Sequence, residues 1–462
     1  MFEIDKLLKQ VKRIHFIGIG GSGMCPLAEI LHKEGYLLSG SDNNETDTLA
    51  RIRSMGIPVA MGQRAENIEG AEMIVYTAAL LKDNPELVAA LESGIPTFER
   101  SKLLGAVTRI YPNTICVSGT HGKTTACSML TQVLIEADFD PTAVIGGKLP
   151  LTGSNGLVGH SDHMVCEACE FVDTFLDLSP DIAVILNVDE DHLDYFKTFE
   201  NLKKSFVRFA SMATKAIIYN ADDADSIEVA STAAADSGKP LITFGLDEKC
   251  DYRAINITNE NEFYSYDLIV KGNNIGKIKL SVPGVHNVHN SLAVIAAAMY
   301  SGVSFEKCAN GILGFRGAGR RFEILDKING ITVADDYAHH PKELEVTLKT
   351  AMNMGYNRVW AVHQPFTYSR THILFDDFVE VLKIPDKCVL TEIMGSREIN
   401  TYGIYTSQLA EKIPGSVWFN TFDEVADYVV NNAQSGDLII TLGCGDIYKA
   451  AKIMIKLLKE RQ

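Results

Sequence analysis

Residues 115–130, ICVSGTHGKTTACSML, combine the residue types that hold a nucleotide triphosphate. An apolar, β-prone run enters a turn that contains two glycines, and an apolar-periodic helix begins directly afterwards. Glycine lets backbone N–H groups approach a phosphate closely, and the N-terminus of a helix adds partial positive charge. The Lys123 ammonium would meet the outer phosphates, and the Thr124 hydroxyl would reach Mg²⁺. We therefore predict a triphosphate cradle made of Gly119, Thr120, His121, Gly122, Lys123, Thr124 and Thr125.

A second glycine-rich turn lies near the N-terminus. A predicted strand, residues 13–17, leads into GIGGSGM at 18–24, and Asp42 follows the next predicted strand. Glycines for a pyrophosphate and an acid for a ribose hydroxyl are typical of a dinucleotide site, but a UDP-sugar presents the same two groups. Both ligands therefore stay open at this point. The residues predicted to form this site are Gly18, Gly20, Gly21, Ser22, Gly23, Met24 and Asp42.

Acidic residues follow two further predicted strands. Strand 163–166 ends at Glu167, and strand 181–187 runs into VDEDHLD. Ligands of open α/β sheets bind at the carboxyl ends of the strands, so Glu167 or Asp191 is the candidate acid that holds Mg²⁺ against the cradle threonine. His192 offers nitrogen, whereas Mg²⁺ prefers oxygen, so the chemistry of this residue alone favours a general base.

Two later segments carry groups suited to a nucleotide. Asn287 and Asn290 are three residues apart at a predicted helix start, where they could cap the helix or read the edge of a base. Residues 314–323, GFRGAGRRFE, place three arginines among flexible glycines. In an acidic chain this pattern predicts a phosphate clamp that closes by domain motion, with a solvated basic loop as the alternative.

The order of predicted elements indicates an α/β chain built from three successive β/α regions. A length of 462 residues exceeds one ordinary core, and we place the domains at residues 1–106, 107–320 and 321–462. The formal net charge of −16 argues against nucleic acid or an anionic membrane as the main partner. Nine scattered cysteines favour a reducing compartment, and Cys166 and Cys169 are interpreted as small buried residues rather than a zinc or redox pair. With no apolar run of membrane-spanning length and no signal-peptide core, a cytoplasmic protein is expected.

The short cradle GTHGKTT resembles that of the ATP-dependent Mur ligases of peptidoglycan synthesis and of their folylpolyglutamate synthetase relatives. Seven further blocks extend the resemblance to the Mur ligases over nearly the whole chain, and in particular to the branch that adds the first amino acid, alanine. They are HFIGIGGSGM, EACEFVDTFL, NVDEDHLD, GVHNVHNSLA, FRGAGRRFE, DDYAHHP and QPFTYSRT. The resemblance implies a Rossmann-like UDP-binding domain, a central P-loop ATPase-type domain with a mostly parallel sheet, and a Rossmann-like C-terminal domain that closes over the site. It further implies ATP-dependent ligation of L-alanine to the lactyl carboxylate of UDP-N-acetylmuramate through an acyl phosphate, with Mg²⁺ or Mn²⁺ as the cofactor.

Site residues follow from the resemblance by motif position. Thr124, Glu167 and His192 correspond to cation ligands, and Asp336 and Arg321 correspond to ribose and phosphate contacts. The ATP-binding set implied beyond the cradle is His286, Asn287, Asn290, Arg321 and Asp336. The catalytic set implied is Lys123, Glu167, His192, Arg321, His339, His340 and Arg370, of which His339, His340 and Arg370 would face the muramoyl carboxylate and the incoming alanine.

Two positions depart from the pattern of the Mur ligases. Phe366 stands where the motif usually has histidine, and Val207 stands where sister ligases have a carbamylated lysine, which the alanine-adding branch generally lacks. The alternatives are a murein tripeptide ligase, an NAD-dependent oxidoreductase and a non-catalytic nucleotide-gated binding protein. The expected partners are small molecules only, bound by a monomer or a homodimer.

Overall fold

The computed structural model describes residues 3–396 and 398–461, and it confirms an α/β fold with three sheet-containing regions. Two compact units are present. The first contains residues up to Ile257 with 265–281 and 286–318, and the second contains 258–264, 282–285 and the chain from Gly319 onward. Within the described ranges, none of the helices has the length and apolarity needed to cross a bilayer. The domain boundaries after residues 106 and 320 stay a prediction.

The first sheet of the first unit has five parallel strands in the order β3-β2-β1-β4-β5. Its strands are β1 Arg13–Ile17, β2 Leu37–Asp42, β3 Val59–Met61, β4 Met73–Tyr76 and β5 Thr97–Glu99. Its helices are α1 Glu3–Leu8, α2 Cys25–Lys33, α3 Asp47–Ser54, α4 Pro85–Glu92 and α5 Arg100–Thr108, with a 3-10 helix at Ala65–Ile68. Because β1 lies centrally and is almost completely buried, the glycine-rich turn after it is anchored to a rigid strand end.

The second sheet has ten strands in the order β15-β14-β13-β12-β11-β10-β6-β9-β7-β8. Its strands are β6 Asn113–Ser118, β7 Thr142–Leu149, β8 Ser154–Leu157, β9 His163–Glu167, β10 Ile182–Ile185, β11 Ala216–Asn220, β12 Leu241–Gly245, β13 Tyr252–Glu260, β14 Phe263–Val270 and β15 Asn273–Pro283. The helices are α6 Lys123–Glu136, α7 Leu193–Phe196, α8 Phe199–Ser211, α9 Ala224–Ser237, α10 His286–Tyr300 and α11 Phe305–Gly314, with a 3-10 helix at Phe171–Asp177. Strands β9 and β10 flank β6 in parallel, which brings the predicted acids and the cradle to one edge.

The third sheet, in the second unit, has the order β16-β17-β21-β18-β19-β20. Its strands are β16 Glu323–Ile328, β17 Ile331–Asp336, β18 Val359–His363, β19 Lys387–Thr391, β20 Val417–Phe419 and β21 Leu438–Leu442. Its helices are α12 Pro341–Asn353, α13 Tyr368–Ile373, α14 Phe375–Val381, α15 Thr406–Lys412, α16 Phe422–Asn432 and α17 Tyr448–Glu460. Only β16 is antiparallel, so the loops after β17, β18 and β21 share one edge.

One segment differs from its sequence-based prediction. The Gly/Ser/Asn-rich composition of residues 151–159 by itself predicts a flap or a turn, yet residues 154–157 form β8 and pair with β7 in antiparallel orientation. The composition gives no β signal, so pairing and packing override local propensity here. Gly156 shows why small residues are needed, since a Cβ at this position would lie 2.7 Å from Cβ of Pro26.

Candidate functional site

The cradle between β6 and α6 depends on two glycines with positive φ. Gly119 has φ +143° and Gly122 has φ +85°, a region that side chains disfavour. A Cβ on Gly122 would also lie 2.7 Å from Oδ1 of Asn290. Gly122 is the N-cap residue of α6 and has no side chain, so no N-cap side-chain oxygen accepts from the first N–H groups of the helix. This geometry suits a bound anion.

Asn187, which follows β10, supports the cradle from the neighbouring strand. Its Oδ1 accepts a hydrogen bond from the His121 N–H at 2.8 Å, and its Nδ2 donates to the His121 carbonyl at 3.0 Å. The Thr120 hydroxyl accepts from the Asp189 N–H at 2.9 Å. Sequence reasoning used Asn187 only as a strand end, although its position after the strand beside β6 was the available signal.

Lys123 is held by Glu170, a residue that sequence reasoning did not single out. Its Nζ lies 2.8 Å from Oε2 of Glu170 and also donates to the Gly119 and Thr120 carbonyls at 2.5 and 3.1 Å. Both side chains are buried, with Lys123 11% and Glu170 1% exposed. Burial by itself would lower the pKa of Lys123, but Glu170, Cys169 and Glu167 together outweigh burial and raise it, so the ammonium stays charged. A second acid within EACE was the sequence signal for this partner.

Glu167 lies at the end of β9 next to the cradle helix. Its Oε1 accepts from the Thr124 hydroxyl at 3.1 Å, and its Oε2 accepts from the Gly146 N–H at 2.6 Å. Thr124 and Glu167 therefore bring a hydroxyl and a carboxylate together, which are the oxygen donors that Mg²⁺ prefers. These two side chains fit the cofactor implied by the family resemblance.

His192 lies beside other acids rather than beside Glu167. Its Nε2 is 4.0 Å from Oε1 of Glu170 and 3.7 Å from Oδ2 of Asp191, and its ring packs on Phe171 with centroids 4.7 Å apart. The described residues contain no ready-made group of three His, Cys, Asp or Glu side chains that could hold a metal. The assignment of His192 as a cation ligand therefore stays a prediction.

Asn287 and Asn290 form the expected pair on the first turn of α10. Nδ2 of Asn290 donates to Oδ1 of Asn287 at 2.9 Å, and both side chains are buried. His286 is exposed at the start of the same helix, while His289 contacts Asp222 at 2.8 Å. The two histidines are thus in different surroundings, and Asn290 directly borders the cradle at Gly122.

The N-terminal glycine turn is fixed by Asp42. Oδ2 of Asp42 accepts from the Gly20 N–H at 2.9 Å, and Oδ1 accepts from the N–H groups of Asn43 and Asn44. Arg100, at the start of α5, borders the turn, because a Cβ on Gly23 would lie 3.3 Å from its Nη1. Arg100 has no hydrogen bond or ion pair within the described residues, so its charge is available beside the turn. Sequence reasoning missed this arginine, although it directly follows a strand end.

Arg320 and Arg321, both in the second unit, have different surroundings. Nε of Arg320 binds Oδ2 of Asp335 at 2.7 Å, and its other nitrogens donate to the Gly443 and Gly445 carbonyls. Arg320 is therefore a structural residue of this unit, which corrects the view of the arginines in 314–323 as one clamp. Arg321 lies over the Tyr337 ring at 5.4 Å and has no hydrogen bond or ion pair among the described residues.

The carboxyl-edge loops of the third sheet hold the remaining predicted site residues. Nδ1 of His339 lies 3.2 Å from Oε2 of Glu343, and its ring meets Phe366 edge-on at 6.4 Å. His340 is the N-cap of α12, with Nδ1 accepting from the Lys342 N–H at 3.3 Å. Phe366 thus packs beside His339, and the side chain of Arg370, on α13, has no hydrogen bond or ion pair among the described residues.

Asp336 ends β17 and accepts from the N–H groups of Phe322 and Ala338, both at 2.7 Å. Burial raises its pKa to about 6, against the lowering effect of the Arg321 charge. The folded state therefore binds a proton more tightly than the unfolded chain, in which the pKa is 3.8. Asp336 therefore makes its full contribution to stability at pH values below the pKa of the unfolded chain. This contribution is lost as the pH rises through about 6, the pKa in the folded state.

Asp336→Asn should consequently flatten the pH dependence of stability. From pH 7 to pH 5, the free energy of unfolding of the parent should increase by about 1 kcal/mol relative to the variant. Trp360 and Trp418 are the only tryptophans of the chain and both lie in the second unit, so their fluorescence in urea reports on this unit. Asp326→Asn is the control, because the hydrogen bond from Lys459 lowers the pKa of that half-buried acid. If the difference in the free energy of unfolding between the parent and Asp336→Asn is the same at pH 7 and pH 5, the raised pKa of Asp336 is contradicted.

Three family models match this chain. They are described as "Mur ligase family, catalytic domain" at residues 13–111, "Mur ligase middle domain" at 117–298 and "Mur ligase, glutamate ligase domain" at 320–445. A UDP-N-acetylmuramate–L-alanine ligase of Acetivibrio thermocellus is 42% identical over 453 residues, which cover 96% of each chain. One of Caldanaerobacter subterraneus is 41% identical over 467 residues, covering 100% of each chain.

Solved structures give the same picture. The UDP-N-acetylmuramate-alanine ligase of Thermotoga maritima matches with a TM-score of 0.84 and 26% identity, covering 97% of this chain and 100% of that one. A murein peptide ligase of Psychrobacter arcticus matches with a TM-score of 0.75 and 24% identity, covering 97% and 99%. The second similarity supports the fold alone.

Proposed function

This chain belongs to the Mur ligase family, and on that premise we propose that it joins L-alanine to the lactyl carboxylate of UDP-N-acetylmuramate in peptidoglycan precursor synthesis. It is an ATP-dependent, amide-forming ligase. The observation that carries the proposal is the pair of glycine turns in the first unit. One contains Lys123 beside the hydroxyl of Thr124 and suits a triphosphate, and the other is fixed by Asp42 and suits a nucleoside diphosphate.

Amide formation from a carboxylate and an amine in water requires activation of the carboxylate. In the proposed reaction an oxygen of the lactyl carboxylate attacks the γ-phosphorus of ATP. The bond from this phosphorus to the β-γ bridging oxygen breaks, so ADP leaves and an acyl phosphate is formed. The neutral amine of alanine then attacks the acyl carbon, and inorganic phosphate leaves from the tetrahedral intermediate. The acyl phosphate must be kept from water, which gives a physical reason for closure of the C-terminal domain.

The residues of the chain supply charge and position in this scheme. Lys123 and Arg321 offset the negative charge of the phosphates, and His339 or His340 accepts the proton that the amine loses. His339 is favoured, because Nδ1 of His340 already caps α12. Glu343 lies 3.2 Å from Nδ1 of His339 and would stabilise the protonated ring.

We propose Mg²⁺ or Mn²⁺ as the cofactor, held by Thr124 and Glu167, with His192 as a further candidate ligand. When bound, the cation would neutralise charge on the phosphate oxygens. The remaining proposals are a cytoplasmic location, a monomeric or dimeric state, and small molecules as the only partners.

The function is tested by measuring ADP release from purified protein with each substrate omitted in turn. We expect release to require ATP, UDP-N-acetylmuramate and L-alanine together. If the murein tripeptide replaces L-alanine and free L-alanine does not, the chain is a tripeptide ligase. If ADP is released at the same rate without any acceptor, the ligase proposal fails. Oxidation of NADH would indicate the oxidoreductase alternative.

Arg321→Ala tests the proposed phosphate contact of the second unit. The variant should lose turnover by about 10- to 100-fold, the equivalent of one charge-assisted contact, while its affinity for UDP-N-acetylmuramate stays unchanged. Arg316→Ala is the matched control, since Arg316 is exposed and, in the part of the chain that the structure describes, its side chain donates only to the Leu313 carbonyl. Calorimetry and steady-state ADP release provide the two readouts. Equal turnover in both variants would exclude Arg321 from the phosphate site.

A further inference from the structure

The hairpin formed by β7 and β8 packs along helix α2. Gly156 of β8 lies against Pro26, as the close approach of a Cβ at this glycine shows. Further along α2, Nζ of Lys33 donates to the carbonyls of Val158 and Gly159 at 3.0 and 3.4 Å. The contacts lie on α2 at residues 26 and 33, seven positions apart, which places both on one face of the helix.

Glu29 lies between these two contacts and is the buried centre of the junction. Nε of Arg51, on α3, is 2.5 Å from its Oε1, and Nη2 is 3.3 Å from its Oε2. The Ser154 hydroxyl, on β8, donates to Oε1 at 3.4 Å, and Nη1 of Arg51 donates to the Thr152 carbonyl at 3.3 Å. The Glu29 side chain is 5% exposed, so this charge depends on its partners. Glu29, on α2, therefore contacts both α3 and the hairpin, and Arg51, on α3, contacts both α2 and the hairpin.

The two ends of this assembly lie at the two nucleotide sites. Helix α2 begins directly after the glycine turn at 18–24, and Sγ of Cys25, its first residue, lies 3.3 Å from Oε1 of Glu29. At the other end, the Gly146 N–H of β7 donates to Oε2 of Glu167 beside the cradle. Nδ2 of Asn155, next to Ser154 on β8, donates to the Gly146 carbonyl at 3.1 Å, so a continuous series of contacts leads from the predicted UDP site to Glu167.

We propose that Glu29 and Arg51 are a positioning pair that couples the two nucleotide sites. A nucleoside diphosphate on the glycine turn orders the N-terminus of α2, and the pair transmits this order through the hairpin to the Gly146 N–H. Glu167 is thereby held in the orientation that favours nucleotide binding at the cradle. This inference rests on the proposed function, because it requires a UDP-sugar at the first site. It predicts that each nucleotide increases the affinity for the other by the same factor.

The experiment measures this coupling factor by calorimetry. The Kd of a non-hydrolysable ATP analogue is determined with and without saturating UDP-N-acetylmuramate, for the parent, Arg51→Met and Glu29→Gln. We expect a ratio of about 5-fold or more for the parent and less than about 2-fold for both variants, with the Kd of each ligand alone nearly unchanged. Hydrogen exchange of the 146–153 segment, without added metal, provides a second readout. UDP-N-acetylmuramate should slow it in the parent and leave it unchanged in the variants.

Arg53→Met is the matched control. Arg53 lies on the same helix, pairs with Glu45 at 2.7 Å and has no described contact with the hairpin. This variant should keep the coupling of the parent, and equal coupling in Arg51→Met and Arg53→Met would overturn the inference. Glu29→Gln keeps the size of the side chain, so it carries the test if Arg51→Met is unstable. A parent that catalyses the ligation but shows no coupling also overturns the inference, whereas absent ligation and absent UDP-sugar binding would instead overturn the proposed function.

Discussion

The Lys123→Ala variant should form ADP about 10²- to 10³-fold more slowly than the parent in the complete assay with UDP-N-acetylmuramate and L-alanine. The ammonium is the one side-chain cation of the cradle turn, and its charge would be aimed at the oxygens that gain negative charge during phosphoryl transfer. The affinity for UDP-N-acetylmuramate should stay near that of the parent, because Asp42 and the glycine turn at 18–24 are unaltered. ADP release and calorimetry with the UDP-sugar measure the two effects.

Loss of stability has to be separated from loss of chemistry in this variant. Lys123 is paired with Glu170, and removal of one partner from a buried ion pair costs about 3 to 5 kcal/mol. The double variant Lys123→Ala with Glu170→Gln removes both charges and should recover stability without recovering turnover. Lys204→Ala, at an exposed position of α8, serves as the control. Near-normal turnover in Lys123→Ala would show that the cradle assignment is wrong.

Glu167→Gln should reduce turnover about 100-fold at fixed Mg²⁺ and shift half-maximal activity to a metal concentration about 10- to 100-fold higher. The amide keeps the size of the side chain but lacks the negative charge that attracts the cation. It also places an NH₂ group against either the Thr124 hydroxyl or the Gly146 N–H, both of which now donate to the carboxylate. A titration of ADP release with Mg²⁺, repeated with Mn²⁺, measures the shift.

Glu190→Gln is the control for this substitution, because Glu190 is an exposed acid in the separate acidic segment VDEDHLD at 188–194. Its metal dependence should match that of the parent. An identical Mg²⁺ titration for Glu167→Gln and the parent would exclude Glu167 from the cation site and leave Asp191 as the candidate acid. Binding of Mn²⁺ followed by electron paramagnetic resonance distinguishes weaker metal binding from slower chemistry.

The cradle could be located from the sequence because its parts are contiguous. A strand, two glycines, a lysine and a helix start within twelve residues specify their own geometry, and β6, the turn and α6 form as expected. The same holds for β1, the glycine turn and Asp42, where the acid ends the strand that pairs with β1. The α/β architecture is also confirmed. It could be predicted because alternating β/α units leave few other ways to bury parallel strands.

What tertiary structure decided are the partners that come from distant parts of the chain. Glu170 and Asn187 reach Lys123 and His121 only because β9 and β10 flank β6, and β8 becomes a strand because β7 and α2 give it a surface to pack on. Arg320 and Arg321 are adjacent and chemically identical, yet only the folded third sheet gives Arg320 its acid and carbonyl partners. Local residue patterns encode the phosphate turns because backbone conformation is a local property. Charge pairing depends on distances in space, which only the packed sheets determine.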